Sequence, residues 1–335
     1  MRIGIIGAGA MGSTHAAGWA QTPATLCGFL ADPPAEARAL AARYQAQVFP
    51  NLEALLAAVD VVDVCAPTHL HYPLVLQAAA AGKHIICEKP LALSVAHGQA
   101  MIAACRQAGV RLFVAHVVRF FPEYASAQAA VAQGEIGQPA VIRLSRASYQ
   151  PQKPVGNWFL DPDKSGGMML DLMVHDFDYA RWIAGDVARV YARSLQQQQP
   201  EAAVDYALAI LTHRNGAISH IEGSWAYPPP TFRTRLEIAG SDGLIECHPD
   251  HTLALATYLR QAGAGDVPDV GVPGSPMLEN PYTTEIKAFY TAITQGLPAR
   301  VSAADGLAAL QIALAARESA QRGVAIDLPR LPELE

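Results

Sequence analysis

A segment near the middle of the chain, SGGMMLDLMVHDFDYARW at residues 165–182, contains several groups that can exchange protons. Its apolar residues are typical of a buried helix, yet it also carries Asp171, His175, Asp176 and Asp178. On a continuous helix Asp171, His175 and Asp178 stand at i, i+4 and i+7 and share one face, whereas Asp176 points elsewhere. A carboxylate at this spacing can orient an imidazole and favour its protonated form. The segment therefore predicts an acid–base pair, Asp171 and His175.

Two other interpretations of this segment remain open. Asp and His at i and i+4 can bind zinc, but no further cluster of His, Cys or Glu at ligand spacing accompanies them, so we expect no metal. The histidine could also be an ordinary, partly buried one that a neighbouring carboxylate satisfies. Gly166 and Gly167, just before the helix, would allow a ligand or another backbone to approach closely.

A second candidate is a lysine that ends an apolar run, KHIICEKP at residues 83–90. Pro90 restricts Lys89 to extended geometry, so the lysine cannot easily swing out to solvent. Lys89 is either a cation held for chemistry or an ordinary strand-end lysine paired with Glu88. The residues alone favour neither interpretation.

The third candidate is the amino-terminal glycine motif. Gly7, Gly9 and Gly12 form G-x-G-x-x-G after the β-branched run that begins at Ile3 and before an Ala-rich helical stretch. The first glycine permits a tight turn, the second permits close approach of a pyrophosphate, and the third permits close packing of helix and strand. With the required strand and helix on either side, the motif predicts a dinucleotide site at a helix amino terminus.

An acidic residue supports the same interpretation. Asp32 ends the next apolar run, TLCGFLADP, where a carboxylate accepts the ribose hydroxyls of NAD. It would repel a 2′-phosphate, and no arginine follows it directly, so the sequence favours NAD without excluding NADP. The alternative is that Asp32 only begins a turn before Pro33 and Pro34.

The pattern of elements divides the chain into two domains, predicted at residues 1–120 and 121–335. In the first, strands alternate with helices, and Asn51 and Ser94 stand where helix caps are expected. This alternation predicts a Rossmann domain, an α/β fold with a parallel, doubly wound sheet, whose ligands gather at the carboxyl ends of the strands. We expect the segments at 7–12, 67–71 and 88–90 to meet at that edge.

The second domain is predicted to be α+β, with an open and mainly antiparallel sheet. Arg214-Asn215-Gly216 and Ser241-Asp242-Gly243 indicate hairpin turns. We expect a final helical region from about residue 280 to 320. The predicted strands lie in PAVIRLSRASYQ, ARVYARSL, DYALAILTHRNG, AISHIEGSWAY, FRTRLEIAG, GLIECHP and TLALATYL.

Composition excludes several classes of partner. The 335 residues are 51% hydrophobic and 16% charged, with a net charge of −6, which argues against nucleic acid and anionic membrane as the main partner. No apolar run approaches the roughly 18 residues that span a bilayer. The amino terminus lacks a secretory signal pattern, and the five cysteines show no C-x-x-C spacing, so we expect a cytoplasmic protein with reduced thiols.

Taken together, the motifs resemble the glucose–fructose oxidoreductase / inositol dehydrogenase family (Gfo/Idh/MocA) over essentially the whole chain. The matching segments are G-A-G-x-M-G-x-x-H at 7–15, A-P-T-x-x-H at 66–71, E-K-P at 88–90, R-F-x-P-x-Y at 119–124 and S-G-G-x-x-x-D-x-x-x-H-x-x-D at 165–178. The resemblance implies a Rossmann domain and a second α/β domain with an open antiparallel sheet. It further implies oxidation of a secondary hydroxyl of a sugar, inositol or polyol by NAD or NADP, and a homodimer or homotetramer formed through the carboxyl-terminal sheet.

The resemblance also implies roles for individual residues. Lys89 would bind the reacting oxygen, His175 would act as the general base, and Asp171 would be its partner. Asp178 would anchor its helix, and Met168 stands where the family often has a third glycine. The residues expected to contact the cofactor are Gly7, Ala8, Gly9, Met11, Gly12, Asp32, Pro67, Thr68, His71, Glu88 and Lys89.

Two further functions remain open at this point. Some relatives cleave glycosidic bonds by an oxidation–elimination route with transiently used NAD, and the same lysine and histidine could serve that chemistry. Other relatives are non-catalytic, nucleotide-binding regulators, which would not need Lys89, Asp171 and His175 together. Substrate choice would depend on side chains of the second domain, with Asn157, Trp158, Trp225, Tyr227 and Arg233 as candidates.

Overall fold

The computed structural model describes residues 1–153, 157–198, 203–247 and 279–331. These residues form two compact units. The first contains residues 1–121 and 279–307, and the second contains the other described residues up to 331. The division differs from the ranges 1–120 and 121–335 because part of the carboxyl-terminal region packs with the first unit. No helix in the described part of the chain combines the length and hydropathy needed to cross a bilayer.

The first unit is built on a six-stranded parallel sheet of order β3-β2-β1-β4-β5-β6. Its strands are β1 (Arg2–Ile6), β2 (Thr25–Leu30), β3 (Gln47–Val48), β4 (Val61–Val64), β5 (His84–Glu88) and β6 (Leu112–Ala115). The apolar side chains of the central strands are fully buried, as continuous β-branched runs require when helices cover both faces. The strand order reverses between β1 and β4, and ligands of such sheets bind at this switch point. The predicted Rossmann fold is confirmed.

Five helices connect these strands. They are α1 (Ala10–Trp19), α2 (Ala35–Arg43), α3 (Leu52–Ala58), α4 (His71–Ala80) and α5 (Val95–Gln107). Asn51 caps α3 by accepting the Ala54 N–H at 2.8 Å, and Ser94 caps α5 by accepting the His97 N–H at 3.2 Å. Both predicted caps are therefore confirmed.

The second unit contains a seven-stranded sheet of order β12-β11-β7-β10-β9-β8-β13. Its strands are β7 (Pro139–Ser148), β8 (Val187–Gln198), β9 (Ala203–His213), β10 (Ile218–Ser224), β11 (Phe232–Gly240), β12 (Leu244–Cys247) and β13 (Ile326–Asp327). Every neighbouring pair is antiparallel except β7 and β10, which run parallel. The two predicted hairpin turns join β9 to β10 and β11 to β12. The strand predicted in TLALATYL lies outside the described residues.

One helix of this unit differs from the prediction. The segment after Gly167 forms two helices, α8 (Met168–Asp171) and α9 (Val174–Ala184), with a break at Leu172 and Met173. The expected single, continuous helix over this segment is therefore wrong. At the break Met173 packs so closely on the sheet that a Cβ at Gly223 of β10 would lie 2.3 Å from its Cγ. Within the second unit, two helices precede this break in the described residues: α6 (Pro122–Ala132) and α7 (Pro162–Ser165).

The carboxyl-terminal helical region is also two helices, α10 (Pro281–Gln295) and α11 (Ala303–Arg322). Gly296, at a φ of +67°, ends α10 with a left-handed cap. Helix α10 packs with the first unit, where Ile286 lies against Gly18 of α1 and Phe289 against Phe113 of β6.

Candidate active site

The glycine loop after β1 is shaped so tightly that only glycine fits two of its positions. Gly7 has a φ of +104°, and a Cβ there would lie 2.4 Å from the carbonyl oxygen of Cys65. A Cβ at Gly12 would lie 2.1 Å from the carbonyl oxygen of Gly7. The Gly7 N–H donates to the Leu30 carbonyl oxygen at 2.8 Å, which fixes the loop beside the end of β2. The roles predicted for the first and third glycines have a direct steric basis.

The loop leads into an open helix amino terminus. Helix α1 begins at Ala10, directly after Gly9, with no side-chain cap and no acidic residue in its first turn. The N–H groups of the first turn and the positive end of the helix dipole are therefore available to an anion. Ala8 and Met11, which belong to the same loop and first turn, are partly exposed. This cradle fits the pyrophosphate of a dinucleotide.

Asp32 lies at the same edge of the sheet. It follows β2 by two residues, its side chain is exposed, and β2 pairs with β1 so that Leu30 stands opposite Ile6. Asp32 therefore stands next to the strand end that carries the glycine loop, which is the position that the fingerprint for ribose recognition requires.

The turn after β4 holds two of the predicted residues in place. Pro67 precedes a 3₁₀ turn that contains Thr68, which is buried, and His71 begins α4. The His71 ring lies between two backbone carbonyl oxygens, with Nε2 2.9 Å from Ala66 O and Nδ1 3.0 Å from Pro90 O. Burial lowers the pKa of His71 despite these carbonyls. The ring thus connects the end of β4 to the segment after β5.

Glu88 and Lys89 stand at the carboxyl end of β5. Glu88 is buried, and its Oε2 accepts the Lys89 N–H at 2.9 Å, while Lys89 itself is partly exposed. The peptide bond from Lys89 to Pro90 is cis. Burial opposes ionisation of Glu88, but the positive charges of His15 and Lys89 outweigh it, and the pKa of Glu88 lies below its ordinary value.

A buried polar cluster that we did not predict lies beneath this edge. His15 Nδ1 is 3.0 Å from both carboxylate oxygens of Asp63, and the Trp19 indole N–H donates to Asp63 at 2.7 Å. His15 Nε2 lies 3.1 Å from Oε1 of Glu88. Cys65 Sγ is 3.4 Å from His15 Nδ1, and burial raises the pKa of this thiol. The available sequence signals were an aspartate inside the apolar strand VVDVC and a histidine three residues after the glycine motif.

The second unit carries the predicted acid–base pair. Asp171 ends α8 and is buried, and His175 lies in the first turn of α9 and is partly exposed. The left-handed φ values of Gly166 (+80°) and Gly167 (+77°) direct the chain into α8. The break at residues 172–173 therefore places Asp171 at the end of one helix and His175 in the first turn of the next.

The other two aspartates of the segment are buried. Asp176 makes two bonds with Arg146 of β7, at 2.8 and 2.9 Å, and both side chains are buried. This paired geometry satisfies both charges and joins α9 to the sheet. Asp178 is also buried, at 1% exposure, which agrees with an anchoring role.

The residues suggested for substrate choice differ in exposure. Trp225 is buried, Trp158 is partly exposed and stacks on Phe159, and Tyr227 is exposed. The Asn157 side chain donates to the Pro151 carbonyl oxygen at 2.9 Å. Arg233 is partly exposed on β11.

Comparison with known families covers both halves of the chain. The family model described as "Oxidoreductase family, NAD-binding Rossmann fold" (GFO_IDH_MocA) matches residues 1–116. The model described as "GFO/IDH/MocA C-terminal domain" matches residues 124–246. The two matches follow one another in the order that the sequence motifs predict.

Individual relatives agree with this assignment. Myo-inositol 2-dehydrogenase of Thermotoga maritima is 33% identical over 81% of this chain and 80% of its own length. Inositol 2-dehydrogenase of Rhizobium meliloti is 29% identical over 95% of this chain and 96% of its own length. The crystal structure of GenD2 from gentamicin A biosynthesis, in complex with NAD, superposes with a TM-score of 0.86 at 26% identity, covering 98% of this chain and 97% of GenD2. The chain therefore belongs to the Gfo/Idh/MocA family of oxidoreductases and is an NAD(P)-dependent dehydrogenase.

Proposed function

We propose that the protein oxidises a secondary hydroxyl of an inositol, sugar or related polyol, with NAD as the preferred cofactor. The observation that carries this proposal is the meeting of the glycine loop, the turn at residues 67–71 and the Glu88-Lys89 pair at one edge of the parallel sheet. The substrate class is supported by relatives that are named inositol dehydrogenases.

The cofactor would be held by the residues predicted from the sequence. The pyrophosphate would lie against the loop and first turn that contain Gly7, Ala8, Gly9, Met11 and Gly12. At the two tightest positions of this loop, Gly7 and Gly12, there is no room for a larger side chain. The bound nicotinamide supplies the hydride acceptor of the reaction. Asp32 would bind the ribose hydroxyls, and its negative charge beside the loop supports NAD over NADP.

Lys89 would place its ammonium near the reacting oxygen. A cation at this position stabilises the negative charge that develops on the oxygen as its proton leaves. The buried Glu88 side chain and the Pro90 carbonyl, bonded by His71, fix the backbone on both sides of Lys89. Thr68 and His71 would lie near the nicotinamide ribose at the same edge.

His175 would accept the hydroxyl proton, with Asp171 as its partner. Partial exposure suits a base that must exchange its proton with solvent, and the buried carboxylate of Asp171 suits a group that orients an imidazole. The proposal assigns both residues to the reaction on the resemblance of the S-G-G-x-x-x-D-x-x-x-H motif.

We also propose that the chain assembles with copies of itself through the sheet of the second unit. Four large apolar side chains, between 37% and 55% exposed, share one face of β8, β9 and β10: Tyr191, Leu195, Leu208 and Ile218. On the opposite face of β8 and β9 the apolar side chains are buried: Val190, Ala192, Ala207, Ala209 and Leu211. Large apolar side chains exposed together on one sheet face support a dimer or tetramer interface.

The experiment that tests the proposed activity is an NADH assay of the purified protein. It would be incubated with NAD or NADP and with a panel of inositols, aldoses, glycosides and small alcohols. We expect NADH to accumulate with NAD and one group of polyols or sugars, and less product with NADP. Glycoside cleavage without accumulation of NADH would instead indicate the oxidation–elimination hydrolase. Nucleotide binding without turnover of any compound would indicate a binding module.

A further inference from the structure

The backbone of Lys89 is connected to a chain of buried groups in the first unit. Its N–H donates to Oε2 of Glu88 at 2.9 Å, and Oε1 of Glu88 lies 3.1 Å from Nε2 of His15. Nδ1 of His15 in turn lies 3.0 Å from both oxygens of Asp63, which also accepts the Trp19 indole N–H. The His15 imidazole thus stands between the carboxylates of Asp63 and Glu88, and Glu88 accepts the backbone N–H of Lys89.

Burial makes this arrangement strongly coupled. The side chains of His15 and Asp63 are completely buried and that of Glu88 is 8% exposed. A buried carboxylate without a partner is costly, so each of the two carboxylates depends on the ring between them. Burial disfavours the charged ring, but the Asp63 carboxylate outweighs this effect and the pKa of His15 is raised well above its ordinary value. This environment favours the imidazolium form of the ring, which carries a donor N–H on each of its two nitrogens.

The cluster also connects the elements that form the cofactor edge. His15 and Trp19 belong to α1, whose first turn follows the glycine loop, Asp63 belongs to β4, and Glu88 ends β5. A displacement of His15 would move the Glu88 carboxylate and with it the Lys89 amide. Small displacements of a catalytic group cost rate, because the reacting atoms must meet within a few tenths of an ångström.

We propose that His15, oriented by Asp63, is a positioning residue for Lys89 and acts through Glu88. The proposal rests on the proposed function, in which Lys89 binds the reacting oxygen. It also changes the interpretation of Glu88: its buried carboxylate supports the lysine rather than contacting the cofactor.

A metal ion is the competing explanation of the same atoms. One ligand atom each from His15, Asp63 and Cys65 lie within 4.8 Å of one another. Their separations of 3.0, 3.4 and 3.5 Å are, however, those of hydrogen bonds, and the Trp19 N–H already donates to Asp63. The proposal therefore takes the cluster as hydrogen bonds around Asp63 together with a close charge contact between His15 Nε2 and Glu88. Elemental analysis of the purified protein must show no stoichiometric zinc or other transition metal.

Two substitutions separate the positioning role from simple packing. In His15→Asn the amide nitrogen replaces Nδ1, so the bond to Asp63 is kept and the contact with Glu88 is lost. In His15→Gln the amide nitrogen replaces Nε2, so the contact with Glu88 is kept and the bond to Asp63 is lost. Both remove the ring and its charge, and thermal melts of each variant establish that it is folded.

The readouts are the hydrogen exchange of the Lys89 amide, measured by NMR on the full-length protein without substrate, and kcat per folded enzyme. We expect His15→Asn to speed exchange at Lys89 at least tenfold and to lower kcat roughly ten- to a hundredfold, with little change in KM for NAD. His15→Gln should retain most of the protection and a kcat within about threefold of the unmodified enzyme.

Equal behaviour of the two folded variants in both readouts would overturn the proposal, as would unchanged kcat in His15→Asn or bound metal in the unmodified protein. Failure of the proposed function has a different signature. In that case Lys89→Ala would leave turnover unchanged, or the unmodified protein would show no turnover. Hydrogen exchange of the Lys89 amide could still respond to the His15 substitutions.

Discussion

At the scale of single residues, the proposed chemistry depends on where charge is held. Lys89 follows a strand whose last four residues are buried. Its own N–H is bonded to the Glu88 side chain, and the Pro90 carbonyl oxygen lies within hydrogen-bond distance of His71. Asp176, by contrast, is a buried carboxylate whose charge is satisfied by Arg146. A charged side chain thus serves chemistry or packing according to the groups that surround it.

Substitution of the two proposed catalytic groups tests this view. We expect Lys89→Ala and His175→Ala each to lower kcat by about a hundredfold or more, the order of magnitude for one acid–base or charge-stabilising group. The Kd for NAD should barely change, because neither group is expected to hold the pyrophosphate. Steady-state kinetics and NAD titrations provide the two values.

Lys83→Ala is the matched control for the lysine substitution. Lys83 precedes the same strand at its opposite end, so its removal should leave kcat unchanged. Turnover retained in both Lys89→Ala and His175→Ala would contradict the assignment.

At the scale of elements, the glycine loop joins β1 to α1 with almost no free space. Alanine is a better helix former than glycine by about 1 kcal/mol, but at position 12 its Cβ would overlap the Gly7 carbonyl. The Gly7 carbonyl belongs to the backbone and cannot rotate away as a side chain can, so this crowding outweighs the higher helix propensity of alanine. The loop must shift to accept any larger residue.

We therefore expect Gly12→Ala to destabilise the protein by about 1–3 kcal/mol and to weaken NAD binding at least tenfold. Denaturant unfolding and NAD titration measure the two effects. Gly82→Ala is the control, because Gly82 has a φ of +69° but nothing within 4 Å of its Cβ position. That variant should lose about 1–2 kcal/mol through backbone strain and keep its NAD affinity. Equal NAD affinity in both variants would contradict the steric account.

Elements with strong local signals were predictable from the sequence. The strand–helix alternation, both caps and both hairpin turns depend on neighbouring residues and are confirmed. The break between α8 and α9 depends on Met173 packing over Gly223, which is distant in sequence, so periodicity could not reveal it. The cluster around His15 required the register of β1, β4 and β5, which places Asp63 and Glu88 near the same helix. The end of α10 at Gly296 did carry a local signal that the prediction overlooked.

At the scale of the whole molecule, one face of the second sheet exposes several large apolar side chains in a single chain. The register of β8, β9 and β10 places Tyr191, Leu195, Leu208 and Ile218 on the same face of the sheet. A second copy of the chain would bury these side chains.

The proposed assembly predicts the effect of charge on this face. We expect the combined Leu195→Lys and Leu208→Lys substitutions to dissociate the oligomer, with at least a tenfold higher Kd, because each copy would bring unpaired lysines together. Light scattering after size-exclusion chromatography gives the mass. Leu297→Lys, at an exposed leucine in the first unit, should leave the mass unchanged. A monomeric unmodified protein would refute the interface.

Stability of the molecule should depend on pH through His15. Its pKa is raised in the folded protein, so folding takes up a proton above the pKa of about 6.5 of an unfolded histidine. The stabilisation is complete below that pH and declines, by up to about 1.4 kcal/mol per pH unit, until the folded pKa is reached. Asp63, Glu88 and the Cys65 thiol are the groups that face the ring.

Denaturant unfolding of the unmodified protein and of His15→Asn, between about pH 6.5 and 8, measures this dependence. We expect the difference in free energy of unfolding between the two proteins to shrink as pH rises. Parallel pH curves would show that the His15 ring is not charged in the folded protein.

The most direct test of the central claim follows the hydrogen itself. The protein would be incubated with NAD and myo-inositol deuterated at its ring carbons, and the NADH would be analysed by mass spectrometry; another compound from the panel replaces inositol if it is the better substrate. The account predicts NADH that carries one deuterium, together with a ketone product. NADH without deuterium, or consumption of the substrate with no NADH released, would contradict hydride transfer from a secondary carbinol as the reaction of this enzyme.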